Sequence, residues 1–227
     1  MEFSVVSCLI LGFVFLGWTG DVDAQTQGKL NCKVPKVQMP TDWITMTDPC
    51  TKLMKAQIQE ELTASMTYLA MGAHFSKDTI NRPGFAKFFF DSASEEREHA
   101  LKLIDYLLMR GGLTQDISQL IRDPLPLSDT WTDAVSALKD ALTLEASVTR
   151  KLRDIASICE APGQESANFN DYHLVDWLTA EYLDEQYKGQ RELAGKISDL
   201  GKMMVSHGPL GEFLYDKKLL GGEPISF

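Results

Sequence analysis

The chain has 227 residues, 44% hydrophobic and 24% charged, with a formal net charge of −10. Such a length and composition describe an ordinary globular protein, expected to form one domain with a tail. The excess of acid argues against a nucleic-acid binder, which needs a basic patch to neutralise phosphates, and suits a protein that handles cations.

Phe3 to Trp18 is an almost uncharged apolar run, followed by small and polar residues as far as Ala24. It reads as a secretory signal peptide over residues 1–24, cut after Ala24, although no Lys or Arg precedes the apolar run. The run is short for a spanning helix, so the mature protein is expected to be secreted, soluble and free of the membrane. Cys32, Cys50 and Cys159 remain after cleavage, and thiols tend to pair in an oxidising compartment. An odd number implies one intrachain bridge and one cysteine left for another chain. No Asn-x-Ser/Thr occurs.

Residues 25–48 show no periodicity and read as an N-terminal arm. A first helix is predicted from Asp48-Pro49-Cys50 to about Ser76, with Asp48 as cap and Pro49 in the first turn. Its inward stripe is Met54, Ile58, Glu61, Ser65, Tyr68 and Gly72, which sets an acid among apolar neighbours. Asn81-Arg82-Pro83-Gly84 breaks the pattern, and a second helix runs to about Arg110, where Gly111-Gly112 stops it. Here Phe85, Phe89, Ser92, Glu96, His99, Leu103 and Tyr106 share one face. Glu96 and His99 are three residues apart, about 300° of rotation, so both reach one point.

Leu113 to Ser128 has no helical period and includes Pro124 and Pro126. A connection so long implies a crossover along the bundle, with the second and third helices parallel. The third helix is predicted from about Asp129 to Cys159, with Leu138, Leu142, Glu145, Val148 and Leu152 inward. After a loop, a fourth helix spans about Tyr172 to His207, with Val175, Tyr182, Gln186, Leu193, Ile197 and Leu200 inward. Gly208-Pro209 precedes a short apolar helix, Leu210 to Leu220, and residues 221–227 form a tail. The expected fold is all-α: an up-down-down-up four-helix bundle with one long crossover plus a short fifth helix. That topology puts the start of the first helix beside the end of the third. Cys50 and Cys159 are therefore the expected intrachain pair, and Cys32 is free to reach a neighbouring chain.

Each long helix then offers an inward polar group near mid-length: Glu61, Glu96 with His99, Glu145, and Gln186. Several carboxylates and one imidazole suit two hard or borderline cations, with Glu96 able to bridge. Without metal the like charges would raise one another's pKa. Structural zinc sites favour Cys or His in closed tetrahedra, so an oxygen-rich set with open positions points to Fe(II), which can meet dioxygen.

Ala-Gln-Ile-Gln-Glu-Glu-Leu-Thr-Ala-Ser from Ala56, Ser-Glu-Glu-Arg-Glu-His-Ala from Ser94, Leu-Thr-Leu-Glu from Leu142, Tyr-Leu-Asp-Glu-Gln from Tyr182 and Gly-Glu-Phe-Leu-Tyr-Asp-Lys-Lys-Leu-Leu-Gly from Gly211 resemble ferritin, in the same order and over about Cys50 to Leu220. With a signal peptide and extra cysteines, the chain is most similar to secreted insect-type heavy-chain subunits. The resemblance implies a ferritin-like di-iron domain over residues 49–220. It also implies a ferroxidase centre of Glu61, Tyr68, Glu96, His99, Glu145 and Gln186, all metal ligands except Tyr68, that oxidises two Fe(II) with dioxygen. The Fe(III) would then be stored as mineral inside a 24-subunit shell.

Other features of the resemblance are less complete. Glu95 and Glu98, with Asp91 one turn earlier, correspond to mineral-nucleating groups, but Leu101 stands where heavy chains often carry another acid. Asp176 matches the first of two acids in a threefold channel, while Thr179 occupies the second position. Asp171 is a further candidate for that channel. Leu214 and Leu219 would pack around the fourfold axes. A light-type partner linked through Cys32 is implied. The competing expectations are a non-catalytic nucleating subunit of the same shell and a monomeric or dimeric di-iron oxidase.

Overall fold

The first helix, α1 (Asp48–Ser76), starts where Thr47 adopts an extended backbone and Pro49 supplies a preset φ in the first turn. Asp48 is its first residue rather than its cap, and places a negative charge at the positive end of the helix dipole. The structure, a computed structural model, describes residues 37–113, 120–160 and 170–221. Cys32 and the proposed leader lie outside those residues. A turn through Asn81, which has a φ of 50°, leads to α2 (Pro83–Met109). The short turn forces α2 back antiparallel along α1. Gly111, with φ of 68°, ends it, and a Cβ there would meet the Trp43 ring at 2.8 Å.

The returning crossover is pinned to α1 by side chains. Gln59 donates from Nε2 to the Arg122 carbonyl at 2.7 Å and accepts from the Arg122 amide at 2.8 Å. Two turns further along α1, Thr67 Oγ1 accepts from the Leu127 amide at 3.1 Å. The connection therefore travels along the bundle, satisfying its backbone groups on α1 as it goes.

The third helix, α3 (Ala134–Glu160), begins five residues later than its periodicity predicts. Asp133 explains this: its Oδ1 accepts from the Ser136 amide at 2.7 Å, a side-chain cap that fixes the first turn there. Cys159 at the end of α3 is bridged to Cys50 at the start of α1, with Cα atoms 6.0 Å apart. So α3 is antiparallel to α1 and parallel to α2, as predicted. The bridge closes a loop over a sequence separation of 109 residues. A Cys50→Ser, Cys159→Ser variant should lose roughly 3–5 kcal/mol of stability, the loop-closure expectation for about a hundred residues. Chemical denaturation of the two proteins would measure it.

The fourth long element is α4 (Tyr172–Leu178), a π-helical turn (Thr179–Leu183) and α5 (Asp184–His207) in one run. Asp171 caps α4 through the Leu174 amide at 3.1 Å. The short α6 (Pro209–Gly221) closes one end of the bundle with two carboxylates. Asp216 Oδ1 accepts from the Gly84 and Phe85 amides at 2.7 and 3.1 Å, and Glu212 accepts from the Ala134 amide at 3.0 Å and from Arg82 at 2.8 Å. It thereby caps the starts of both α2 and α3. Gly84 is required for the approach, since a Cβ there would sit 1.9 Å from the Asp216 carbonyl oxygen. Of the residues expected at a fourfold axis, Leu219 packs partly on this subunit's own core, while Leu214 is exposed.

Phe85, Phe75, Phe89 and Tyr68 pack in a row through the core, with successive ring centroids 5.5, 5.6 and 6.2 Å apart. The aromatic layer borders the level at which the inward polar groups of α1, α2, α3 and α5 meet. Among the described residues no helix is long and apolar enough to cross a membrane.

Candidate metal centre

The bundle interior contains a cluster of ionisable and polar side chains. Glu61 is 0% exposed, and Glu96, His99, Glu145 and Gln186 are all buried. Each is delivered by the stripe of its own helix. One potential ligand atom from each of Glu61, Glu96 and His99 lies within 4.8 Å of the others. Among the buried atoms that find no hydrogen-bond partner are Glu61 Oε2, Glu96 Oε2 and His99 Nδ1. Orphan carboxylate oxygens and an imidazole nitrogen at one point are the condition a cation relieves.

The remaining two expected ligands, Glu145 and Gln186, line a cavity of about 290 Å³ together with Glu96 and His99, but are otherwise engaged. Glu145 Oε1 accepts from the Tyr68 hydroxyl at 2.5 Å. Gln186 Oε1 accepts from Thr149 at 2.7 Å, and Thr149 in turn accepts from Gln190 at 2.6 Å. Tyr68 thus acts on Glu145, a ligand carried by α3, from its place on α1.

The protonation of the cluster follows from burial. Glu61 is held well above the usual carboxylate range, first by desolvation and then by the charge of Glu96. Glu96 is raised well above it by the same burial and by Glu145. Glu145 is raised by burial, and hydrogen bonds from Tyr68 and Gln186 offset part of the effect. Burial also drives the Tyr68 hydroxyl well above its ordinary value, with the Glu145 charge adding to it. Without metal the cluster is therefore harder to ionise than free carboxyls, and a cation that binds it must favour the ionised form.

His99 is held from several sides. Its Nδ1 is 3.6 Å from Glu96 and its Nε2 3.5 Å from Glu185, whose side chain is 55% exposed. The Tyr182 hydroxyl donates to the His99 backbone carbonyl at 2.7 Å, and the two rings lie 5.5 Å apart. Tyr182 sits in the π-helical turn, which changes the register between α4 and α5 where Gln186 begins to face inward.

Asp91 and Glu95 line the exposed side of the cavity with Glu185 and Glu192. Glu98 is exposed and is not part of that lining. Asp176 is exposed on α4. Asp171 is committed elsewhere: it receives both Arg110 nitrogens at 3.0 Å in addition to capping α4, so its charge is neutralised locally. The Thr179 hydroxyl donates to the Val175 carbonyl at 2.8 Å.

Several helpers are absent from the sequence-level set, namely Gln57, Thr149, Gln190 and Glu185. Three of them follow a common rule: Gln57 precedes Glu61 by four residues, Thr149 follows Glu145 by four, and Gln190 follows Gln186 by four. On a helix such residues are neighbours on the same face.

Residues 51–203 match the ferritin-like domain family. The ferritin heavy chain of Trichoplusia ni is 58% identical over 190 residues, covering 84% of this chain and 88% of that one. The heavy chain of Drosophila melanogaster is 52% identical over 198 residues, covering 87% and 94%. The crystal structure of Trichoplusia ni secreted ferritin superposes with a TM-score of 0.78 at 58% identity, covering 84% of this chain and 97% of that one.

Proposed function

The chain belongs to the ferritin family, and we propose from that premise that its bundle is a heavy-type subunit that oxidises Fe(II) with dioxygen and stores the Fe(III) as mineral. The observation that carries this reading is the buried cluster of Glu61, Glu96 and His99, whose unpartnered ligand atoms converge inside the bundle. Iron is the substrate and the cargo. Glu61, Glu96 and His99 take the first ion, and Glu145 and Gln186 contribute to a second, looser position, giving two irons per subunit. Tyr68 holds Glu145 in place through its 2.5 Å hydrogen bond. The chemistry is redox, so the carboxylates set charge and distance rather than act as general acids.

Because Gln186 is neutral and already bonded to Thr149, the second ion is bound weakly and leaves readily, which suits storage better than a resident cofactor. Asp91 and Glu95, on the exposed side of the cavity, lie where departing iron would pass, and Glu98 would join them only on the shell's inner surface. Asp176 contributes one acid per chain to an iron channel.

Ferritins assemble as multi-subunit shells. For this chain the assembly is a 24-subunit cage containing a light-type chain joined through Cys32, with residues 1–24 removed on secretion and residues 49–220 forming the di-iron domain. The naming of the Trichoplusia ni relative as a secreted ferritin supports that route.

The test is dioxygen uptake when Fe(II) is added to the purified mature protein, beside a Glu96→Ala, His99→Ala variant whose shell is intact by size. Fast oxidation in the parent and its loss in the variant are expected. Equal, slow oxidation in both would make the cluster structural and the chain a nucleating subunit.

A further inference from the structure

Four of the five groups expected to ligate iron, all but Glu96, are held by a neighbour's hydrogen bond, and the neighbours differ in kind. Glu145 is held by a tyrosine from α1, Gln186 by a threonine from α3, and His99 through its backbone by Tyr182. For Glu61 the hydrogen-bond partner is Gln57, one turn earlier on the same helix, whose Nε2 donates to Glu61 Oε1 at 2.8 Å. Gln57 is 2% exposed and shares its side of α1 with Met54 and Ile58, both fully buried. An amide in that setting packs no better than leucine or methionine and must be desolvated to be there. Its cost is offset by the bond to Glu61.

That bond has a direction. The amide takes one of the two carboxylate oxygens, and the other, Oε2, is the buried, unpartnered atom. A free glutamate side chain has three torsions to order; one anchored at Oε1 has a single remaining oxygen to offer.

We propose, resting on the ferroxidase reading above, that Gln57 is a positioning residue for Fe(II): it anchors Glu61 by one oxygen so that the other is presented to the metal beside Glu96 and His99. Gln57 itself does not touch the ion. Its effect falls on the first, tight binding step and leaves the second step and the electron transfer to dioxygen largely unaltered.

The experiment is an anaerobic Co(II) titration of the metal-free, shell-assembled protein, followed by visible absorption, together with Fe(II) oxidation kinetics. The proteins compared are the parent, Gln57→Leu, Gln57→Met and the Glu96→Ala, His99→Ala variant. The Leu and Met variants should weaken the tight Co(II) step by about tenfold or more, the usual effect of losing a partner that orients a metal ligand. KM for Fe(II) should rise by a similar factor, with kcat changed less than about threefold. Their unfolding temperatures should stay near the parent's, because the burial cost of the lost amide is set against a Glu61 oxygen left without its donor. The methionine variant preserves the length of the side chain should leucine disturb the packing of α1. Unchanged Co(II) affinity in both variants, with the parent binding Co(II) and the double variant not, would overturn the positioning role alone. A parent without a Co(II) site sensitive to Glu96 and His99 would overturn the ferroxidase reading and this inference together.

Discussion

Glu61→Gln should yield a metal-free protein that unfolds at a higher temperature than the parent and oxidises Fe(II) at least about a hundredfold more slowly. The two effects share one origin. Glu61 is fully buried, and desolvation together with the Glu96 charge keeps its carboxyl well above the ordinary range. A neutral amide of nearly the same shape avoids most of that penalty and can still accept from Gln57. Burying an uncompensated ionisable group costs more than burying a hydrogen-bonded neutral one, so the amide should be the more stable. The loss of activity follows because the amide offers Fe(II) a neutral oxygen in place of a charged one, at the tightest part of the cluster. Thermal unfolding in the presence of a chelator and stopped-flow oxidation would read the two effects separately. A variant that is both less stable and fully active would show that Glu61 serves packing.

The same conflict explains why parts of the molecule were legible in the sequence. A polar residue on an otherwise apolar helical stripe is conspicuous, so Glu61, Glu96, His99, Glu145 and Gln186 can be found by periodicity alone, and the helices with them. The long crossover and the parallel α2 and α3 follow from its length and from the two prolines. Cys50 and Cys159 follow from that topology, and the structure joins them. The start of α3 was less legible because Asp129 to Asp133 offers several helix-compatible residues, and the decision is made by the Asp133 side chain and by Glu212 from a distant helix.

Contacts between helices were out of reach for a related reason. A stripe states which face is buried but not which partner each polar atom meets. Tyr68 could as well have reached Glu61 as Glu145, and nothing local says that the Gln186 carbonyl turns to Thr149. Asp171 looks like an open acid on a loop until Arg110, 61 residues earlier, is found bound to it. The exposed acids are the least legible, since Asp91, Glu95 and Glu98 are close in sequence, yet only the first two line the cavity.

Acidity should act on this protein in opposite directions with and without metal. Glu61, Glu96 and Glu145 all have folded-state pKa values raised above those of the unfolded chain. Above the ordinary carboxylate range of about 4.3, the native state therefore binds more protons than the unfolded one, and stability falls as pH rises. The contribution is complete below the unfolded pKa and is lost as pH climbs through the raised folded values. Metal-free protein should thus be more stable at mildly acidic than at neutral pH, as far as these three groups decide it. With Fe(II) or Co(II) bound the same carboxyls must be ionised, so binding expels protons and affinity increases with pH, by about tenfold per pH unit for each proton displaced. Oxidation of Fe(II) at limiting concentration should climb in parallel. Calorimetric Co(II) titrations in buffers of different ionisation enthalpy would count the protons released, and unfolding of chelated protein across the same pH range would supply the opposite slope. If binding released no protons and its affinity were flat with pH, the carboxyls would already be ionised before the metal arrives. The like charges in the empty site would then have to be compensated by groups other than bound protons.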